Sequence, residues 1–207
     1  AGGPGALFPV MRQILADAPA LAANPAAYSE GRMRQLLLSR NDLEALIPVA
    51  QGRQPLLMEV NRAVDIRNVL AFARAEDLRI VLTGAAEGWM VADEIAAAGV
   101  PVVIDAEDNE AYSFEELNAT YENAARLQRA GVLVAFQPAV ARTYVQIRSP
   151  RLIAGRSVRF GMTPGQALAA ITVNPARIFG LDDRLGTIER GREANLVIWS
   201  GDPLDTN

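Results

Sequence analysis

Three residue types never occur in this sequence of 207 residues. It has no histidine, no cysteine and no lysine, so all 20 basic side chains are arginine. Within the chain, those absences exclude zinc fingers, iron–sulfur clusters, disulfides, Ser-His-Asp triads, cysteine nucleophiles, Schiff-base lysines and the P-loop lysine. Carboxylates, hydroxyls, arginine and the backbone are left for chemistry. An excess of positive charge is also missing: the formal net charge is −4, so neither nucleic acid nor an anionic membrane, which need clustered positive charge, is expected as a partner. No apolar run approaches the roughly 18–20 residues of a membrane-spanning helix. The opening Ala1-Gly2-Gly3-Pro4-Gly5 lacks the charged-then-apolar order of a signal peptide and reads as a linker, or as a chain entered partway along. A cysteine-free composition fits an exported, periplasmic bacterial chain and can also arise by chance in a cytoplasmic one, so the compartment is left open.

What is present is a globular mixture, 50% hydrophobic and 21% charged, enough for one or two packed units. Helical stretches near 6–18 and 29–38 are expected, broken by Pro19 and Pro25. Ser39 or Asn41 then caps a helix through about Ala50. From there strands and helices alternate. Leu56–Val60, Arg79–Thr83, Pro101–Ile104 and Val132–Phe136 read as strands apolar on both faces, as buried parallel strands must be. Between them fall helices over about 63–76, 86–98 and 114–130, the last two stopped by Gly99 and Gly131. This alternation predicts an α/β fold with a parallel sheet.

After Pro138 the pattern changes. Residues 139–160 read as irregular and Arg-rich. Thr163-Pro164 opens a helix to about Val173, and Asn174-Pro175 starts another that closes at Gly180. Gly186–Glu189 and Leu196–Trp199 look like two strands joined by a turn at Gly191. Two strands alone are marginal and need a sheet made elsewhere.

The stretch Ala167-Leu168-Ala169-Ala170-Ile171-Thr172-Val173-Asn174-Pro175-Ala176-Arg177-Ile178-Phe179-Gly180-Leu181 resembles the C-terminal signature of the amidohydrolase superfamily, in its imidazolonepropionase-like branch. The continuation from Leu185 to Trp199, ending Gly201-Asp202-Pro203-Leu204, resembles it too. Met58-Glu59-Val60-Asn61-Arg62-Ala63-Val64-Asp65-Ile66 is similar to the fifth-strand motif, and Ile80 to Trp89 to the sixth. The resemblance implies a partial (β/α)8 TIM-type barrel, roughly strands five to eight, over 41–182. A leading helical segment over 1–40 would continue from a missing N-terminal half. Residues 183–207 would be the C-terminal strands of a small β-sandwich. It also implies hydrolysis of non-peptide C–N bonds or amides in a small-molecule substrate, with zinc or another divalent metal as cofactor. The missing half-barrel, or a second copy of the chain, is the expected partner.

The family's metal ligands are substituted. Glu59 stands at the fifth-strand His position and Thr83 at the sixth, while the eighth-strand Asp falls near Ala139. Glu59 could be a lone ligand or general base, or a strand-end carboxylate paired with Arg62 or Arg79. Asn61, Asp105 and Gln137 are the binding candidates at the same strand ends. The acidic run Asp105-Ala106-Glu107-Asp108 lacks the central glycine of a calcium loop. Arg142, Arg148, Arg151, Arg156 and Arg159 could hold an anion or pair with carboxylates. The expectation is a chain that by itself holds no catalytic metal and hydrolyses nothing. The alternative is a catalytically dead relative with a structural or regulatory role.

Overall fold

The structure is a computed structural model that describes residues 4–32, 34–106, 111, 113–137 and 150–205. The chain divides into two units, one running to Leu56 and including Val69–Ile80, the other comprising Leu57–Asn68 and Val81 onward.

The first unit is mainly helical. Helix α1 (Pro4–Ala23) runs through both Pro9 and Pro19, α2 is the short Pro25–Ser29, and α3 is Arg40–Ala50. The expected break at Pro19 does not occur. An internal proline costs a helix about 3 kcal/mol, but Ala18 and Leu21 on either side of it are fully buried with Leu43. Burying one Leu recovers about 1.5–3 kcal/mol, so packing overrides the local penalty. Among the described residues of the helix expected over 29–38, only Ser29, the end of α2, is helical, because Gly31 adopts a left-handed φ of 67° just after it. Ser39 caps α3 as expected, accepting the Asp42 N–H. Phe8 of α1 stacks on Phe72 with ring centroids 4.8 Å apart, and Arg12 pairs with Glu76 at 2.5 Å.

The second unit holds most of the sheet, while Leu56 and Val69–Ile80 belong to the first. Strand β1 (Leu56–Val60) leads into helix α4 (Ala63–Ala75) and β2 (Ile80–Gly84) into a 3-10 turn (Gly88–Val91) and α5 (Ala92–Ala97). Next come β3 (Val102–Ile104), α6 (Asn123–Arg129) and β4 (Val134–Phe136). The strands lie in the order β1-β2-β3-β4, and both the β2–β3 and β3–β4 pairs are parallel. The Leu56 N–H donates to the Arg79 carbonyl and the Ala85 N–H to the Val60 carbonyl, so β1 runs alongside β2 in the same direction. All residues of β3 and β4 are buried, as strands apolar on both faces require.

Three helices differ from the sequence reading. The second expected helix opens as a 3-10 turn, and the third forms only at Asn123–Arg129. Over 113–122, Ser113 Oγ accepts the Glu115 N–H and Thr120 Oγ1 the Glu122 N–H. Such local side-chain acceptors compete with helix hydrogen bonds and leave turns instead. The Arg-rich stretch expected to be irregular contains helix α7 (Pro150–Arg159), with Ile153, Ala154 and Ser157 buried.

Helix α8 (Pro164–Ile171) starts with a full capping box between Thr163 and Gln166. Helix α9 (Val173–Phe179) ends at left-handed Gly180. Asn174 donates from Nδ2 to the Val134 carbonyl at 2.7 Å, satisfying an open acceptor on edge strand β4. The strands expected at 186–189 and 196–199 are not formed: both segments lack ladder pairing, and Ile188, Val197 and Ile198 are exposed. Among the described residues, no strand pairs with either segment.

Candidate functional site

In parallel (β/α) folds the C-terminal ends of the strands carry the reactive groups. The register shows which residues meet there. The Ala85–Val60 hydrogen bond sets Val60 beside Gly84, and therefore Glu59 beside Thr83. Thr83 pairs with Val103, and Val103 with Ala135. Strand alternation then puts Glu59, Thr83, Val103 and Ala135 in one row on one face. Val81 lies on that face, and it packs with Val103, Ala135 and Ile178 of α9 into a common cluster. Two residues further along, and so on the same face, Asn61, Ala85, Asp105 and Gln137 each follow the last residue of a strand. Gln137 donates its backbone N–H to the Ile104 carbonyl at 3.0 Å, which keeps it level with Asp105. All five sequence candidates thus fall in two adjacent rows at one end of the sheet.

Their environments differ. Thr83 is buried, whereas Glu59 is exposed and makes no ion pair with Arg62 or Arg79. Asn61 is half-buried. Its Nδ2 donates to Glu116 Oε1 at 3.3 Å, and its Oδ1 accepts the Ala86 N–H at 3.4 Å. The latter oxygen sits against Gly84, where an added Cβ would approach it to 2.5 Å; with φ at 76°, that position needs glycine twice over. Ala139, Glu107, Asp108, Arg142 and Arg148 lie outside the described residues. Arg151 turns away to the tail, donating to the Pro203 and Asp205 carbonyls.

Two carboxylates at this end escaped the sequence reading. Glu116 reaches Asn61 from 55 residues away, and no spacing in the sequence signals that. Glu87, only 7% exposed, accepts the Ala63 N–H and the Asn118 Nδ2, both at 2.9 Å. Desolvation favours its neutral form. The hydrogen bonds from Ala63 and from the side chain and backbone of Asn118, with the nearby Arg62 charge, outweigh it and hold the carboxyl below the ordinary Glu range. A signal for Glu87 was available, because it lies within the Ile80 to Trp89 stretch that resembles the sixth-strand motif.

The donor set fits zinc poorly. Zinc favours imidazole and thiolate, and the chain has neither. Among the described residues, no three acidic side chains converge as a cation cage.

Known proteins resemble this chain in sequence and fold. The imidazolonepropionase of Symbiobacterium thermophilum is 34% identical over 92 residues, covering 42% of this chain and 21% of that protein. An amidohydrolase from Thermotoga maritima superposes with a TM-score of 0.80 at 27% identity, over 98% of this chain and 51% of that one. An adenosine deaminase from Xanthomonas campestris with bound zinc, 21% identical over 68% of this chain and 36% of that one, shares the fold with a TM-score of 0.50. The chain therefore spans about half of its Thermotoga neighbour and a fifth of the first relative. Residues 77–207, more than half of the sequence, match the family directly, and the chain belongs to the amidohydrolase family.

Proposed function

We propose that this chain supplies the second half of an amidohydrolase-type barrel and its strand-end rim, facing a small-molecule substrate with a non-peptide C–N bond. On its own it holds no catalytic metal and hydrolyses nothing. The observation that carries this reading is the row Glu59–Thr83. The resemblance places two imidazole ligands there, and the row offers one carboxylate and one hydroxyl. A catalytic metal makes hydroxide available at neutral pH by lowering the pKa of its bound water from about 16 to near 7. A single carboxylate leaves most of a divalent ion's coordination to solvent, so binding is weak and that acidification is small. The Thermotoga superposition covers 51% of that chain, which supports a complementary half as the partner.

The test is metal content together with turnover of N-acyl and cyclic-amide substrates, comparing the chain with its Glu59→Gln variant. The expected result is sub-stoichiometric zinc and manganese and no turnover in either. Near-stoichiometric metal, with activity abolished by Glu59→Gln, refutes it.

A second reading, a catalytically dead relative with a structural or regulatory role, is favoured by the tail. Ile188, Leu196, Val197 and Ile198 are all exposed, a surface that suits a covering partner better than solvent.

A further inference from the structure

Residues 113–122, between β3 and α6, contain no regular element, yet one residue in them is gripped on three sides. Asn118 donates from Nδ2 to Glu87 Oε1 at 2.9 Å and gives its backbone N–H to the same carboxylate. Its carbonyl accepts the indole N–H of Trp89 at 2.8 Å. Both gripping residues leave the end of β2, and both are fixed from behind. The other Glu87 oxygen holds the Ala63 N–H at the start of α4, and the Glu87 N–H donates to the Asn61 carbonyl at 2.9 Å. The Trp89 N–H donates to Asn123 Oδ1 at 3.0 Å, and Asn123, fully buried, donates to the Ala85 carbonyl at 2.9 Å.

This network is selective about what it spends buried polarity on. A carboxylate withdrawn from water costs several kcal/mol unless its oxygens are satisfied. Here the acceptors of Glu87 are directed at an exposed loop residue as well as a helix start. Two residues before Asn118, the segment touches the rim again, where Glu116 Oε1 accepts from Asn61. Phe114 and Leu117, 87% and 61% exposed, stand on the same segment.

We infer that residues 113–122 form a strap latched through Asn118 by Glu87 and Trp89, and that the latch presents Glu116 as a ligand-contacting carboxylate on the rim beside Asn61. Glu87 is the positioning residue of the pair and Glu116 the contact. The latch exists without any ligand. Only the role of Glu116 rests on reading the rim as the binding face, so the two can fail separately.

The latch is tested in the unliganded chain. Trp199→Phe leaves Trp89 as the one indole, since the sequence has two tryptophans. In that background, Asn118→Ala removes a single exposed side chain. We expect a red-shifted Trp89 emission and at least about tenfold faster exchange of the residue-118 amide, with α4 and β2 amides unchanged. Trp89→Phe, read by amide exchange alone, releases the same amide. Glu87→Gln, which keeps one acceptor oxygen, frees either Ala63 or Asn118 but not the sheet. Unchanged emission and exchange in Asn118→Ala overturns the latch, and so does acceleration spread equally over α4 and β2. The role of Glu116 is tested by nuclear magnetic resonance titration with formamide and hydantoin as amide probes. Perturbed amides at Asn61 and Glu116 that vanish in Glu116→Gln support it, and perturbations unaffected by that substitution overturn it.

Discussion

Val102-Val103-Ile104 and Leu196-Val197-Ile198 have almost the same composition, and their fates are opposite. The first is β3, held between β2 and β4, with Val102 and Ile104 at 0% and 1% exposure. The second belongs to no ladder, with Val197 and Ile198 at 71% and 96%. Both are rich in β-branched side chains, so intrinsic preference does not separate them. Partners do. A strand's preference is mostly fit to a pleated, half-buried surface, and in the tail no such surface is offered. The tail is held at isolated points: Arg151 bonds the Pro203 and Asp205 carbonyls and lies over the Trp199 ring at 5.2 Å.

The largest effect expected from this contrast is in the sheet. Leu82, in the middle of β2, is fully buried. Leu82→Ala should cost about 2–5 kcal/mol, from lost burial plus the cavity left behind. A urea titration followed by circular dichroism reads this as a large fall in midpoint. A loss under about 1 kcal/mol would mean that the sheet is as weakly packed as the tail.

How much of this was legible in the sequence follows the same division. The four strands, α4 and the capped helices α3, α8 and α9 were readable because their signals are local: buried apolar runs, Ser39, Thr163 and Gly180. The rim candidates fell in two adjacent rows because a parallel register carries residues at matching strand positions to the same end. The unreadable parts depend on distant partners. Proline in α1 is tolerated because of Leu43, 24 residues after Pro19 in the chain. The helix expected over 114–130 loses its first part to Ser113 and Thr120. The tail strands look right in isolation, and among the described residues no second sheet receives them. Glu116 joins Asn61 only through the path of the strap.

Electrostatics gives a second way to sharpen the comparison, with a smaller effect. Glu87 near the sheet and Glu193 in the tail both titrate below the ordinary Glu range. Glu193 does so chiefly because Arg184 hydrogen-bonds it, at a fully exposed site. A lowered folded-state pKa contributes stability that is complete above the unfolded value, about 4.3, and is lost as pH falls through the folded value. The buried group keeps that contribution, whereas salt and solvent screen the exposed pair. Stability should therefore fall below about pH 4 in the parent chain, Glu87→Gln should flatten that fall, and Glu193→Gln should leave it unchanged. Urea midpoints between pH 3 and 6, at low and high salt, check this. A larger flattening from Glu193→Gln would show that the tail pair is shielded.

The smallest effect on stability is expected at Ile198. Replacing a fully packed isoleucine by a polar residue removes burial and leaves a hydroxyl to satisfy, but at 96% exposure there is little burial to remove. Ile198→Ser should shift stability by no more than about 0.5 kcal/mol, as exposed substitutions do. It should nevertheless change behaviour in solution. Ile188, Leu196, Val197 and Ile198 present apolar side chains on unpaired backbone, the combination that recruits another strand. Hydrophobic-dye binding and concentration-dependent light scattering should both fall in Ile198→Ser while the urea midpoint holds. A midpoint that drops as far as that of Leu82→Ala would mean that the tail packs on a surface in solution, and the contrast between the two apolar triplets would collapse.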